Sequence, residues 1–142
     1  MTDTFTIATD RVSPRRWCRV RIHPTVEDLQ AAAHRLRPDT RRAHWDGCFG
    51  CFHPSTYWQH DETGEIRYGR NGFAGTLRLA EGHVTSEIVA HELVHAALQI
   101  YRMNVTTEVR LGRQCASREE SLAYIYGELY ASFEEAYHRR SA

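Results

Sequence analysis

The sequence contains no run that approaches the ~18 consecutive apolar residues of a transmembrane helix. Its first residues, MTDTFTIATD, lack the basic stretch and the following apolar run of a secretory signal peptide. Lysine is absent, so all 18 basic residues are arginine, and 18 acidic residues balance them to a net charge of zero. The total charge therefore argues neither for nor against a nucleic-acid partner. We expect a cytoplasmic protein that has no membrane partner.

Cysteine is also scarce. The four cysteines are irregularly spaced and are Cys18, Cys48, Cys51 and Cys115. In a reducing cytosol such a set is typical of free thiols rather than of a disulfide framework. Cys48 and Cys51 have the spacing of a zinc knuckle, but no second pair accompanies them. The histidines nearby in the sequence are His44, His53 and His60. We interpret the pair as two thiols on a strand, with a structural zinc site as the less favoured alternative.

The hydrophobic pattern indicates mixed strands followed by two long helices. The chain has 142 residues, which is enough for one ordinary domain with a real hydrophobic core. Alternation and turn signals predict strands over 16–23, 46–53, 56–60, 65–69 and 75–79, with a hairpin turn at 61–64. Helical spacing and capping residues predict helices over 25–37, 85–103 and 117–138. This order predicts a single α+β domain over residues 1–142.

The second predicted helix carries the motif His91-Glu92-Leu93-Val94-His95, an HExxH sequence. Residues four apart share one face of a helix, so His91 and His95 can bind the same zinc ion. Glu92 then lies beside the open coordination position. There it can accept a proton from water and later pass it to a leaving group. The motif predicts a hydrolase with one zinc ion per chain.

The composition of the surrounding helix favours a functional site over coincidence. An HExxH sequence is expected by chance on the order of 0.05 times in a chain of this composition. The segment from Ile88 to Tyr101 is apolar nearly all round, as in a helix inside a protein. Its polar residues form one stripe, at Glu87, His91, His95, Gln99 and Arg102. The alternative is an amphipathic helix that exposes this stripe to water.

A third zinc ligand must come from another part of the chain. No histidine follows His95 closely, and the only later one is His138. The acidic residues Glu119 and Glu120 open the last predicted helix, where Glu120 alternatively closes a capping box with Ser117. The face that continues from Glu120 carries small side chains, at Ala123, Gly127 and Ala131. Such a face lets two helices approach closely, which favours Glu120 over Glu119 as the ligand.

The two motifs together resemble the gluzincin pattern, in which an HExxH helix is followed by ExxA on a second helix. Here Glu120-Ser121-Leu122-Ala123 follows the HExxH sequence. Phage-associated and ImmA/IrrE-like metallopeptidases have a similar arrangement, as do the zincin domains of anti-restriction proteins. The resemblance covers residues 75–130. It implies a zincin-like fold, a twisted sheet packed on both helices, with Glu120 as a zinc ligand and Glu92 as the general base.

The resemblance also implies where a substrate binds. In the proteins that this chain resembles, the strand before the metal helix, here 75–79, borders the cleft and pairs with an extended substrate backbone. Tyr124 lies one turn beyond Glu120 and is a candidate to stabilise a developing oxyanion. Tyr57, Tyr101 and His83 are other candidates, although such residues are more commonly packed or capping residues.

We expect a zinc-dependent peptidase that hydrolyses protein or peptide substrates and is carried by a phage or a mobile element. The alternative is an anti-restriction or regulatory protein that keeps a zincin fold and binds its partner, such as nucleic acid, through an arginine-rich surface. Nine arginines fall between Arg11 and Arg42, against three acidic residues. This segment can meet phosphates or an acidic protein, although such a pattern is more commonly a solvated face. No pattern predicts an oligomeric state.

Overall fold

The computed structural model describes residues 2–12, 15–38, 45, 47–55, 58–60, 66–68, 72–105 and 118–140. The strands are β1 (Asp3–Thr9), β2 (Arg16–His23), β3 (Gly50–Pro54), β4 (Trp58–His60), β5 (Ile66–Tyr68) and β6 (Phe73–Ala80). The helices are α1 (Val26–Leu36), α2 (Ser86–Val105) and α3 (Arg118–Arg140). The predicted α+β class is confirmed, since a first part with six strands and the shorter helix α1 is followed by two long helices. No helix in these ranges is long and apolar enough to cross a membrane.

Four of the strands form one sheet, in the order β1-β2-β6-β3. β2 and β6 run parallel, whereas β1 and β3 are antiparallel to the strands they join. β4 and β5 form a separate antiparallel hairpin, which confirms those two predicted strands. The turn predicted at 61–64 lies outside the described residues. β1 is not among the predicted strands, although its alternation places Phe5 and Ile7 against the core.

β6 lies in the interior of the sheet, between β2 and β3. Its residue Leu77 pairs with Val20 on one side and with Phe52 on the other. The expectation that this strand borders the cleft and pairs with a substrate is therefore wrong, because both of its edges are already hydrogen-bonded. β3 is the strand at this edge of the sheet, and it packs against α2 through Gly50.

The two faces of the sheet carry different helices. On one face, Leu77 and Leu79 of β6 belong to a core cluster with residues of α2 and α3. On the other face, Ala80 belongs to a cluster with Leu29 and Ala33 of α1. Because side chains alternate along a strand, Arg78 lies on the α1 face, between the two leucines.

The sequence of α1 explains where it begins and ends. The Thr25 hydroxyl accepts a hydrogen bond from the backbone N–H of Asp28 at 3.1 Å, which caps the first turn. Arg37 closes the helix with a backbone hydrogen bond to Ala33, and Pro38 follows. The predicted helix and its cap are therefore confirmed.

α3 buries one face, at Ser121, Ile125, Leu129 and Phe133. The face that continues from Glu120 is exposed instead. A Cβ placed on Gly127 would meet no atom within 4 Å. The prediction that small residues bring this face against the metal helix is therefore wrong. Ser117, the predicted cap, lies outside the described residues.

Two histidines are buried on the α1 face of the sheet. His23 and His53 are 4% and 5% exposed. Burial, together with the positive charge of Arg78, lowers the pKa of each side chain to about 4. Both histidines are therefore neutral in the native protein at pH 7.

We expect the free energy of unfolding to fall as the pH decreases from about 6.5 to about 4. In the unfolded chain a histidine binds its proton near pH 6.5, whereas His23 and His53 bind theirs only near pH 4 in the folded protein. The unfolded state therefore binds up to two more protons than the folded state in this pH range. The free energy of unfolding then changes by up to about 2.7 kcal/mol per pH unit. Urea denaturation at a series of pH values measures this slope.

Single variants assign that slope to the two histidines. The number of bound protons differs between the unfolded and folded states, and His23→Gln and His53→Gln should each reduce this difference by about one. His138→Gln is the matched control, because the side chain of His138 is 73% exposed. A double variant with the slope of the unmodified protein would contradict this assignment.

Candidate metal centre

The HExxH motif lies in the first half of α2, as its helical spacing predicts. Thr85 caps the start of the helix, because its hydroxyl accepts a hydrogen bond from the backbone N–H of Ile88 at 3.3 Å. The apolar residues of α2 that are fully buried include Leu93, Ala96, Ala97, Ile100 and Met103. This packing fixes the rotation of the helix, so that its histidines point away from the core.

His91 and His95 lie side by side on the exposed face of α2. Their Nε2 atoms are 3.4 Å apart, and their ring centroids are 5.1 Å apart in an edge-to-face arrangement. Two nitrogens bound to one tetrahedral zinc ion at 2.0–2.1 Å would be about 3.3 Å apart. The pair therefore has the separation that a shared zinc ion requires. The side chain of His91 is 69% exposed, which leaves it accessible to solvent.

Glu92 lies next to this pair but is buried. The residue is only 7% exposed, and its Oε1 lies 3.9 Å from the Nε2 of His91. Burial raises the pKa of Glu92, and the neighbouring His91 and His95 oppose this shift in part. A carboxylate with a raised pKa holds a proton more readily, which suits a group that takes a proton from water.

An open groove of about 320 Å³ runs between β3 and α2 beside these residues. We call it the edge groove; it is lined by Trp45, Gly50, Cys51, Phe52, Pro54, Glu92, His95, Gln99 and Arg102. Its walls combine the apolar side of an edge strand with the polar stripe of α2. The predicted polar stripe therefore lines a groove in part, through His95, Gln99 and Arg102, and Glu92 lies beside it.

Gly50 permits the close approach of β3 to Glu92. A Cβ at this position would lie 2.9 Å from Ile88 Cγ2 and 3.3 Å from Glu92 Cγ. Sequence reasoning did not single out Gly50 as part of the site. A glycine inside a strand is a signal of close backbone approach, but the partner is 42 positions away (92 − 50), so the sequence alone does not identify it.

Replacing Gly50 by Val is expected to destabilise the protein by about 1–3 kcal/mol, because the added side chain overlaps Ile88. The same change displaces Glu92 and should lower any activity that depends on its carboxylate. Thermal unfolding measures the first effect. Gly47→Val is the matched control, since a Cβ there meets no atom within 4 Å. Equal melting temperatures for the two variants would show that Gly50 has no packing role.

α2 and α3 run in opposite directions, which decides where Glu120 lies. The guanidinium of Arg140, at the end of α3, contacts Glu81, which precedes the start of α2. At the opposite end of the sheet, Glu128 accepts a hydrogen bond of 3.0 Å from Arg11, just after β1. Glu120 is 20 residues from Arg140 (140 − 120), about 30 Å along a helix. The structure does not bring it to His91.

Tyr124 lies at the same end of α3 as Glu120. The Arg11 guanidinium carbon is 4.6 Å from the centroid of its ring, and the residue is 42% exposed. Within the ranges that the structure describes, no group of three or more His, Cys, Asp or Glu side chains could hold a metal ion. The structure therefore brings together His91, His95 and Glu92, and leaves Glu120 and Tyr124 apart from them.

The other candidate residues make local contacts. Tyr101 packs against the core, and the ring of His83 stacks on Phe49 at 4.9 Å. Cys48 donates a hydrogen bond to the carbonyl of Gly50, whereas Cys51 lies 3.4 Å from His53. Both cysteines are free thiols, as predicted. Tyr57, His44 and Cys115 lie outside the described residues, and only the backbone of His60 is described.

Comparison with known proteins identifies no relative. No protein-family profile matches the chain, and neither a curated protein nor a solved structure matches it. A functional assignment therefore depends on the chemistry and geometry of the chain itself.

Proposed function

We propose that the protein is a zinc-dependent peptidase of the zincin type, in which His91 and His95 bind one zinc ion and Glu92 is the general base. The observation that carries this proposal is the 3.4 Å separation of the two Nε2 atoms, which matches that of two ligands of a tetrahedral zinc ion. The donor set also suits the metal, because imidazole nitrogens are common zinc ligands. A phage- or mobile-element-borne origin is part of the proposal and rests on the motif resemblance alone.

The residues of the site support amide hydrolysis. A zinc ion in such a site supplies a Lewis acid that polarises the scissile carbonyl and acidifies water. Glu92 takes the proton that water loses as it adds to the carbonyl carbon. The same carboxyl group then gives this proton to the departing amine nitrogen, so the C–N bond breaks with the proton balance preserved. The burial that raises the pKa of Glu92 makes it a stronger base, which favours the first of these transfers.

The edge groove supports an extended peptide as the substrate. Among the described strands β3 lies at the edge of its sheet, and its residues line the groove next to Glu92 and His95. An extended peptide can add to such an edge through backbone hydrogen bonds, which recognise the main chain whatever its side chains. We therefore propose that the substrate strand lies along β3, in contrast to the sequence-based expectation of β6.

The sequence motif alone supports the proposed third protein ligand of the zinc ion. The ExxA motif assigns it to Glu120, and Tyr124 is a candidate at the oxyanion because it lies one turn beyond Glu120. Both residues lie at the far end of α3 from the histidine pair, so either role requires the first turns of α3 to approach α2. Variants of Glu120 and Glu119 distinguish this assignment from a ligand elsewhere in the chain.

Activity against a mixture of denatured proteins tests the proposed reaction. The zinc-loaded protein should cleave them, a chelator should abolish cleavage, and added zinc should restore it. Circular dichroism before and after chelation shows that the fold persists. Absence of cleavage by the zinc-loaded protein, together with salt-dependent binding to DNA, would favour the alternative of a binding protein that acts through arginine-rich surface.

A further inference from the structure

A cavity lies on the opposite face of the sheet from the histidine pair. It has a volume of about 570 Å³ and lies between α1 and the strands β2 and β6. Its charged lining residues are Arg21, Asp28, Arg35 and Arg78, and His23 also lines it. We call this cavity the basic pocket. Its volume is in the range of pockets that hold small molecules.

The basic pocket holds guanidinium groups that have unused donors. Arg78 is only 9% exposed. The Nε atoms of Arg78 and Arg21 are buried and have no hydrogen-bond partner among the described residues. A buried charged donor without a partner is costly, so native proteins rarely keep one without a function or a ligand. Arg21 and Arg78 line the same cavity, and such a pair of donors is typical of an anion-binding site.

His23 orients Arg78 without adding charge. Nη1 of Arg78 lies 3.1 Å from Nε2 of His23. A guanidinium only donates hydrogen bonds, so Nε2 of His23 must accept, and the imidazole is neutral. This agrees with the pKa of His23, which burial and the charge of Arg78 lower to about 4. His23 therefore holds the guanidinium in place and leaves its positive charge uncompensated.

Asp28 does not neutralise these arginines. The Thr25 hydroxyl donates to Oδ2 of Asp28 at 2.8 Å, in the cap of α1. No ion pair joins this carboxylate to Arg21, Arg35 or Arg78 in the described part of the chain. With three arginines, one aspartate and a neutral histidine, the formal charge of the pocket lining is +2 (3 − 1).

We propose that the basic pocket binds the phosphate group of a small phosphomonoester. Such a group carries about −1.5 to −2 charge at pH 7 and offers three acceptor oxygens, which matches the charge and the donors of the pocket. Guanidinium groups bind phosphate through paired N–H donors. Because Arg78 is buried, a small ester can reach it more readily than the backbone of a nucleic-acid duplex can. The inference is independent of the proposed peptidase, because the pocket and the histidine pair lie on opposite faces of the sheet.

Titration calorimetry at constant ionic strength tests this proposal with inorganic phosphate, glycerol phosphate and a single-stranded oligonucleotide as probes. We expect glycerol phosphate to bind, and Arg21→Gln and Arg78→Gln each to weaken it by ~10-fold or more, because each removes a charge-assisted hydrogen bond. If inorganic phosphate binds as tightly as glycerol phosphate, the ligand of the pocket is free phosphate rather than an ester. Arg139→Gln is the matched control, since Arg139 is exposed and pairs with Glu135 in α3.

A second measurement keeps the proposal testable if either pocket variant fails to fold. In the ¹⁵N NMR spectrum of the unmodified protein, the Nε–H signals of Arg21 and Arg78 should shift on addition of glycerol phosphate, while that of Arg139 stays in place. Unchanged Arg21 and Arg78 signals at saturating ester would overturn the proposal. Binding of the oligonucleotide alone would also overturn it and favour a nucleic-acid surface.

Discussion

Replacing Glu92 by Gln is expected to lower the rate of peptide hydrolysis by about 10²–10⁴-fold, while the protein keeps its zinc and its fold. Gln has nearly the same shape as Glu, so it fits the space above Gly50, but its amide does not accept a proton from water. The side chain lies beside the histidine pair and is not one of the two proposed nitrogen ligands, so the variant is expected to keep its zinc affinity. Turnover, zinc content and melting temperature are measured on the same preparation.

Glu87→Gln is the matched control for this variant. Glu87 lies in the first turn of α2 and is exposed, so its loss removes one carboxylate from the same helix without touching the edge groove. Its turnover should equal that of the unmodified protein. Full activity of Glu92→Gln would refute the hydrolase and leave the binding protein as the better hypothesis.

Removing either imidazole of the pair should abolish stoichiometric zinc binding. The unmodified protein should purify with one zinc ion per chain, and His91→Ala and His95→Ala should each be nearly empty. The loss of affinity should exceed the ~10–100-fold that follows removal of an outer hydrogen-bond partner of a ligand. Elemental analysis measures the content, and competition with a chromophoric chelator measures the affinity. His138→Ala is the control, because His138 is exposed near the end of α3.

The same assay identifies the third ligand. If Glu120 is that ligand, Glu120→Gln weakens zinc binding far more than Glu119→Gln, although both side chains are exposed in the first turn of α3. Equal affinity of Glu120→Gln and the unmodified protein would remove Glu120 from the site. Zinc retained in both histidine variants would instead implicate the thiols of Cys48 and Cys51.

The local parts of the fold were predictable because short-range patterns determine them. Thr25 and Asp28 mark the start of α1 through a cap that spans four residues, and the apolar positions of α2 follow from its own sequence. The spacing of His91 and His95 likewise fixes their proximity, since one helical turn separates them. β1 was missed, although Phe5 and Ile7 alternate with threonines, because a short strand at the edge of a sheet carries a weak signal.

The arrangement of these parts was not predictable, because it depends on contacts between distant segments. β6 lies inside the sheet because Leu77 pairs with Val20 of β2 and with Phe52 of β3. The local sequence of β6 does not predict these partners. The direction of α3 relative to α2 separates Glu120 from His91, although the motif spacing alone suggested a shared site. The arginine-rich segment was interpreted as a solvated face, yet Arg16 is only 3% exposed and Arg21 lines the basic pocket.

The parallel pairing of β2 with β6 has a consequence for how the chain folds. Val20 pairs with Leu77, 57 positions later (77 − 20), so a long loop must close before the centre of the sheet exists. β1 and β2 can pair early, since a short connection joins them. Until β6 pairs with the other edge of β2, the backbone donors and acceptors on that edge have no strand partner. Such non-local pairing slows folding to about the millisecond-to-second range. During that interval β2 presents an open edge to other chains, so refolding yield should decrease as protein concentration increases.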